Sequence, residues 1–216
     1  MSRACDLALL ERWLNGWSRS RGLPLPVPDR GGLRVDVGWP DQLRRHVFVD
    51  AGALLQAFAT GVDVPYVFVK AAVDSPTLRR ALPSRWSIEA PRFLMACTGP
   101  MAGPAILPDP FIPTLTVEHG AYVIALHDAD GAVAATGRIT FDAGTAVYDR
   151  IETAPAHRRN GLASYIMLAL DGLAIQSDVT ERLLVATSEG ATLYRHLGWH
   201  HVAPFSTATL TLPITN

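Results

Sequence analysis

Between residues 147 and 176 the chain passes from a strand-like run, Val147–Thr153, through the loop Ala154-Pro155-Ala156-His157-Arg158-Arg159-Asn160-Gly161 into its most strongly patterned helix. That helix, residues 161–176, carries Leu162, Tyr165, Ile166, Ala169, Leu173 and Ala174 on one face. The opening turn of a helix has unsatisfied N–H donors and a partial positive charge. Gly161 lets the backbone come close to a ligand, and Arg158 and Arg159 add fixed positive charge whose planar forks match phosphate oxygens. Ala163 and Ser164 are small and leave room above the first turn; Asn160 and Leu162 complete the loop. The physical logic is a cradle for a pyrophosphate. The spacing Arg-x-x-Gly-x-Ala alone would arise by chance with a probability of roughly 0.1–0.2 in a chain of this length, so its position between a strand and a helix carries the weight. Neither G-x-x-x-x-G-K-[ST] nor G-x-G-x-x-G nor G-x-S-x-G occurs, which counts against an NTPase, a dehydrogenase and a serine hydrolase.

The rest of the chain reads as short alternating elements. An apolar stripe, Leu7, Leu10, Trp13, Leu14 and Trp17, predicts a helix over 3–18, followed by the stiff Pro24-Leu25-Pro26-Val27-Pro28 stretch. Strands are expected at 33–37, 47–49, 66–70, 86–88 and 93–97, and helices at 51–59 and 76–82. Residues 99–113 hold five prolines and two glycines and mark the boundary between two halves. Beyond it, 122–126 and 133–141 flank the Asp128-Ala129-Asp130-Gly131 turn as a hairpin, 183–187 is a strand, 189–197 a short helix stopped by Gly198, and 199–203 and 207–212 are final strands. No internal repeat is evident in the sequence. Three segments result: an N-terminal αβ region 1–98, a Pro-rich connector 99–118 and a core 119–216.

The 216 residues are 49% hydrophobic and 18% charged, a globular composition. Lys and Arg number 19 against 20 Asp and Glu, so nothing favours a nucleic acid as the main partner. Cys5 and Cys97 cannot form a disulfide framework and read as free thiols of a reducing cytoplasm, Cys97 as a buried one. No run of 18 uncharged apolar residues is present, so no membrane span is expected. Asp6, Glu11 and Arg12 interrupt the N-terminal apolar pattern, against a secretory leader. His196, His200 and His201 read as strand or surface histidines and not as a metal site. Arg44-Arg45-His46 and Arg79-Arg80 read as solvated faces, and Trp199 as core packing.

The order strand, Arg158-x-x-Gly161-x-Ala163, long helix, strand, short helix with Leu193-Tyr194-x-x-Leu197-Gly198-Trp199, strand resembles the GNAT acyl-CoA N-acyltransferases over about residues 119–212. The resemblance implies an α/β fold: a GNAT-type mixed, mostly antiparallel twisted sheet flanked by helices on both faces, with the N-terminal region as a degenerate half-unit. It implies acetyl-CoA or a similar short acyl-CoA as co-substrate, with no metal. The pyrophosphate would be held by Arg158 to Ala163, and the pantetheine arm would lie between strands 147–153 and 183–187. Thr187 stands where the family often has an asparagine, and Gly190 where it usually has alanine.

The implied reaction is attack by a neutral primary amine, on a small molecule or peptide, at the acetyl thioester. The oxyanion would be met by backbone N–H groups around Ile151 to Thr153. The departing thiolate, with a pKa of about 8.5, would be met by the hydroxyl of Tyr194 as general acid. Asp149 and Glu152 are the carboxylates available as base. Their odd spacing on one strand predicts opposite faces, so only one faces the cleft; Glu152 is favoured as nearer the cradle, with Glu118 and His119 behind. The alternative is a non-catalytic acyl-CoA-binding or sensing module. A homodimer is left open.

Overall fold

A computed structural model describes residues 5–210. In chain order the elements are α1 (Leu7–Arg19), β1 (Val27–Asp29), β2 (Gly32–Trp39), β3 (Gln42–Phe48), α2 (Ala53–Gly61), β4 (Val67–Ala71), α3 (Ser75–Ala81), β5 (Trp86–Ile88), β6 (Arg92–Cys97), β7 (Ile112–Glu118), β8 (Ala121–His127), β9 (Val133–Asp142), β10 (Thr145–Thr153), α4 (Leu162–Gln176), β11 (Glu181–Thr187), α5 (Ser188–His196) and β12 (His200–Leu210). The strands form one mixed, mostly antiparallel sheet in the order β1-β2-β3-β4-β12-β6-β11-β10-β9-β8-β7, with β5 beside β12. The helices flank it on both faces, as the resemblance implied. No helix among the described residues is long and apolar enough to cross a membrane.

The faces follow from register. Val35, Val47, Leu94, Val147, Leu183 and Phe205 point to one face and pack against Leu9, Leu10, Trp13, Leu14 and Trp17 of α1. Asp6 starts that helix by accepting the Leu9 N–H at 2.7 Å. Gly16 lets the helix press onto the sheet: a Cβ there would lie 2.3 Å from Val147 Cγ2. On the opposite face, α2 and α3 cover Phe48, Val67, Val69 and Ala71, and α4 and α5 cover Tyr148, Leu184, Ala186 and Ile124. One helix thus covers one face and four cover the other.

Several expectations need correction. Residues 112–118, expected within the connector, form the edge strand β7, whose seven residues pair β8 from Ile112↔His127 to Glu118↔Ala121. The two final strands are one, β12, kinked between His201 and Ala203; its first half pairs β6 and its second half pairs β4 and β5. Residues 211 and 212 of the expected last strand, and 3 and 4 of the first helix, lie outside the described residues. β6, which precedes the connector, lies between β11 and β12. The Arg45-His46 pair is buried, at 8% and 4% exposure, because β3 is an inner strand with packed faces on both sides; only Arg44 is exposed.

His46 makes the fold sensitive to acid. It lies against Phe58 at 4.1 Å, and burial pushes its pKa down to about 4, against the opposing pull of Asp29. A folded-state pKa below the unfolded value means that the stability is present above about pH 6.5 and lost as pH falls toward about 4. Each lost pH unit is expected to cost up to about 1.4 kcal/mol. Urea midpoints at pH 7 and pH 5 should therefore differ more for the wild-type chain than for His46→Phe.

Candidate active site

β10 and β11 run parallel but pair only over Thr145–Val147 and Glu181–Leu183. Past that point β10 keeps its pairing with β9 and β11 its pairing with β6, so the two strands separate. The cause is a bulge in β10 between Asp149 and Glu152, with Arg150 at φ +49°. The opening is bordered by residues 148–153 on one side and 184–187 on the other. The Ala154 N–H donates to Ala134 O at 2.8 Å. Strand alternation then turns the N–H groups of Thr153 and Ile151 away from β9 and into the opening. The other parallel pair of the sheet, β3 and β4, keeps five pairs from Arg44↔Val67 to Phe48↔Ala71, so no such opening exists there.

At the mouth of the opening the chain makes a single 3-10 turn, Pro155–His157, and reaches Gly161, the N-cap of α4, at φ +77°. No side chain caps this helix, so its first amides are without intrahelical acceptors. Arg158, Arg159, Asn160 and Gly161 are exposed, Ala163 and Ser164 are half-buried, and Leu162 is buried and anchors the turn. The loop is held from below: His157 Nε2 lies 3.1 Å from Asp128 Oδ2, and the His157 ring meets Phe111 edge-on at 5.5 Å. Partial burial would raise the Asp128 carboxyl, but the amides of Ala132 and Asp130, together with His157, hold it below the usual carboxylate range.

Tyr194 stands on α5, the helix that follows β11 directly. It is 7% exposed and packs near Trp199. Among the described residues, no hydrogen bond engages its hydroxyl. Burial, and then the negative charge of Asp149, push its pKa well above the ordinary tyrosine value. Thr187 caps α5, its hydroxyl oxygen accepting the Gly190 N–H at 3.1 Å. Gly190 gives Tyr194 its seat, since a Cβ at 190 would come within 3.1 Å of the ring.

The bulge overturns the expected placement of the carboxylates. Asp149 pairs with Arg138 and Glu152 with Thr136, two residues apart on β9, so Asp149 and Glu152 face the same side. The extra residue in β10 restores the parity that odd spacing should have broken. Asp149 forms an ion pair with Arg21 and accepts the Ser20 hydroxyl at 3.1 Å. Glu152 is exposed, with no ion pair among the described residues. Glu118 pairs with Arg138 at 3.5 Å, and His119 lies against Gly22. His201 stacks on Phe93 at 4.6 Å, and His196 Nδ1 lies 2.8 Å from Thr192 O. Among the described residues no group of three His, Cys, Asp or Glu side chains could hold a metal ion.

Sequence reasoning missed Asp171, which fastens α4 to the strands of the opening. Its Oδ1 accepts Arg182 Nε at 2.5 Å and the Tyr148 hydroxyl at 3.0 Å, and its Oδ2 accepts the Met101 N–H at 2.7 Å. The signal was available, because Asp171 is the one charged residue in a 15-residue helix. Burial and the neighbouring Asp171 carboxylate push the Tyr148 pKa far up.

Comparison with known proteins agrees with this geometry. The acetyltransferase (GNAT) family profile matches residues 88–199, just over half of the chain and earlier in its start than the resemblance noted in the sequence, because β6 belongs to the same sheet. No curated protein matches the chain. Among solved structures it is similar to a GCN5-related N-acetyltransferase from Kribbella flavida, with 16% identity, 92% of this chain and 93% of that one covered, and a TM-score of 0.61. A GCN5-related N-acetyltransferase from Sphaerobacter thermophilus gives 13%, 99%, 96% and 0.58. A tandem GNAT protein from the clavulanic acid biosynthesis pathway gives 15%, 74%, 70% and 0.53.

Proposed function

This chain belongs to the acetyltransferase (GNAT) family, and from that premise we propose that it moves an acetyl group from acetyl-CoA to a primary amine by direct attack. The observation that carries this reading is the coincidence of three features at one place. They are the separation of β10 from β11, the uncapped N-terminus of α4 at Gly161, and the free hydroxyl of the largely buried Tyr194.

The first amides of α4, with Arg158 and Arg159, suit the diphosphate of the coenzyme. The strand edges 148–153 and 184–187 leave backbone groups free for the amide-bearing pantetheine arm, with Thr187 and Gly190 at its far wall. The N–H groups of Ile151 and Thr153 suit the oxyanion that forms when the amine nitrogen bonds to the thioester carbon. The C–S bond then breaks and the electron pair goes to sulfur. Tyr194 holds its proton at every working pH and donates a hydrogen bond, then the proton, to that thiolate. The proton lost by the amine goes to Glu152, directly or through water; Asp149, engaged by Arg21, tunes the charge beside Tyr194.

We also read the N-terminal region as a degenerate unit of the same kind. The order β3-α2-β4-α3 parallels β10-α4-β11-α5, the β3–β4 pair has no opening for a coenzyme, and one structural neighbour is a tandem protein.

Titration calorimetry with acetyl-CoA tests the reading. Wild-type protein should release heat of binding, and thiol release should follow when an acceptor is supplied. Gly161→Val should lose at least 10-fold in coenzyme affinity while keeping its fold. A valine there must adopt φ +77°, a conformation that costs an L-residue about 1–2 kcal/mol and twists the amides out of line. Absence of any heat with folded wild-type protein would remove the proposal.

A further inference from the structure

The face of the sheet that carries α1 has a cationic end. Register puts Arg45 beside Val35, Lys70 between Val47 and Thr207, and Arg92 between Phe205 and Thr187. Val35, Val47 and Phe205 lie against α1, so these three cations share its face with Arg21 and Asp149.

Two of them are buried without countercharge. Arg45 and Lys70 are 8% and 7% exposed. Arg45 stacks 3.5 Å over the Trp17 ring and donates from Nη2 to Gln42 Oε1 at 3.3 Å, while its buried Nε has no partner. Lys70 Nζ donates to Thr207 Oγ1 at 2.6 Å. Neither has a carboxylate within ion-pair distance among the described residues. The nearest acids are committed elsewhere: Asp149 to Arg21 and Ser20, and Glu89 to the Thr209 hydroxyl at 3.1 Å. Lys70 stands among Arg45, Arg92 and Arg21, with the Glu89 carboxylate opposing them.

Burying a cation without a counterion is costly, and leucine or methionine would pack as well. Burial, then Arg45, already pushes the Lys70 pKa down, and burial, then Arg21, lowers that of Arg45 to about 9. An anion arriving among them would relieve this penalty. Their position fits the acceptor side of the site. Thr187 borders the opening, Arg92 is its neighbour on β6, and Lys70 lies two strands further on. Three strand spacings make roughly 14 Å of backbone separation, which long side chains shorten.

Resting on the acetyl-transfer reading above, we propose that this cationic end binds the acceptor itself: the amine carries a carboxylate or phosphate that docks among Arg45, Lys70 and Arg92 while its nitrogen reaches the opening between β10 and β11. Amine and anion then lie several bonds apart in one small molecule.

Thiol release from acetyl-CoA with matched amines tests this. Phosphoethanolamine is set against ethanolamine, and γ-aminobutyrate against its amide; the phosphate and carboxylate arms tell the two anions apart. At least one anionic member should exceed its neutral partner 100-fold in kcat/KM, and Lys70→Met should reduce that ratio to a few-fold with acetyl-CoA affinity intact. Thermal unfolding gives a second readout that needs no substrate. Lys70→Met should melt several degrees higher than wild type in anion-poor buffer. Inorganic phosphate or acetate should raise the melting temperature of wild type more than that of the variant. Equal turnover of charged and neutral partners overturns the proposal. So does a lower melting temperature for Lys70→Met, or wild-type stability indifferent to both anions. Calorimetry with acetyl-CoA separates the two readings: coenzyme heat without anion dependence removes the acceptor assignment alone, and no coenzyme heat removes the acetyl-transfer reading.

Discussion

Asp171→Ala is expected to lose about 3–5 kcal/mol of folding free energy, the range seen when one partner of a buried ion pair is removed. Asp171 and Arg182 are 3% and 2% exposed, so solvent cannot replace the missing carboxylate. The substitution leaves the Arg182 guanidinium without a countercharge, and the Tyr148 hydroxyl and Met101 N–H without an acceptor. The urea midpoint should fall while the slope of the transition stays the same. If the single variant does not fold, Asp171→Leu combined with Arg182→Met should recover most of the loss, because an apolar pair of similar volume carries no stranded charge. A shift under about 1 kcal/mol for the single variant would show that the network does not hold α4 in place.

Tyr194→Phe should separate turnover from stability. A positioned general acid contributes typically about 10²–10⁴-fold, and kcat should fall by that order with acetyl-CoA affinity unchanged. Stability should hold or rise slightly, since the Tyr194 ring stays packed and its hydroxyl has no hydrogen bond to lose within the described residues. The wild-type kcat should not decline on the alkaline side below about pH 10, because burial keeps the proton on Tyr194. The same raised pKa works against folding at high pH. Below about pH 10 the contribution of Tyr194 to stability is complete; above it, ionisation in the unfolded chain draws the equilibrium away from the native state. An unchanged kcat in the variant would remove Tyr194 from the proposed chemistry.

What could be read in the sequence was local, and what could not be read depended on partners distant along the chain. The Arg158–Ala163 loop, α4 and the turn at Gly198 are each determined by residues within one or two turns of each other. The same holds for Tyr194, whose place on α5 follows from a nine-residue helix between a strand and a glycine. The shared facing of Asp149 and Glu152 is not legible in the sequence, because one additional residue in β10 reverses parity and no neighbouring residue announces a bulge at Arg150. Arg45 looked solvated because it lies in a polar run, and only the packing of β3 between β2 and β4 under Trp17 buries it. Lys70 sits in the apolar run Val67-Phe68-Val69-Lys70-Ala71, and its isolation there was the one available hint.

The path of β12 bears on how this chain can be made. β12 joins the two parts of the sheet in its middle: residues 200–205 pair β6, and 206–210 pair β4 and β5. During synthesis the first hundred residues therefore leave the ribosome with an unfilled slot beside Val67–Ala71, and it stays empty until translation has passed residue 210. Vectorial synthesis cannot complete the early half first. Chaperone shielding of that slot, and slow maturation of nascent chains stalled before position 206, are the expected cellular signatures of a strand shared in this way.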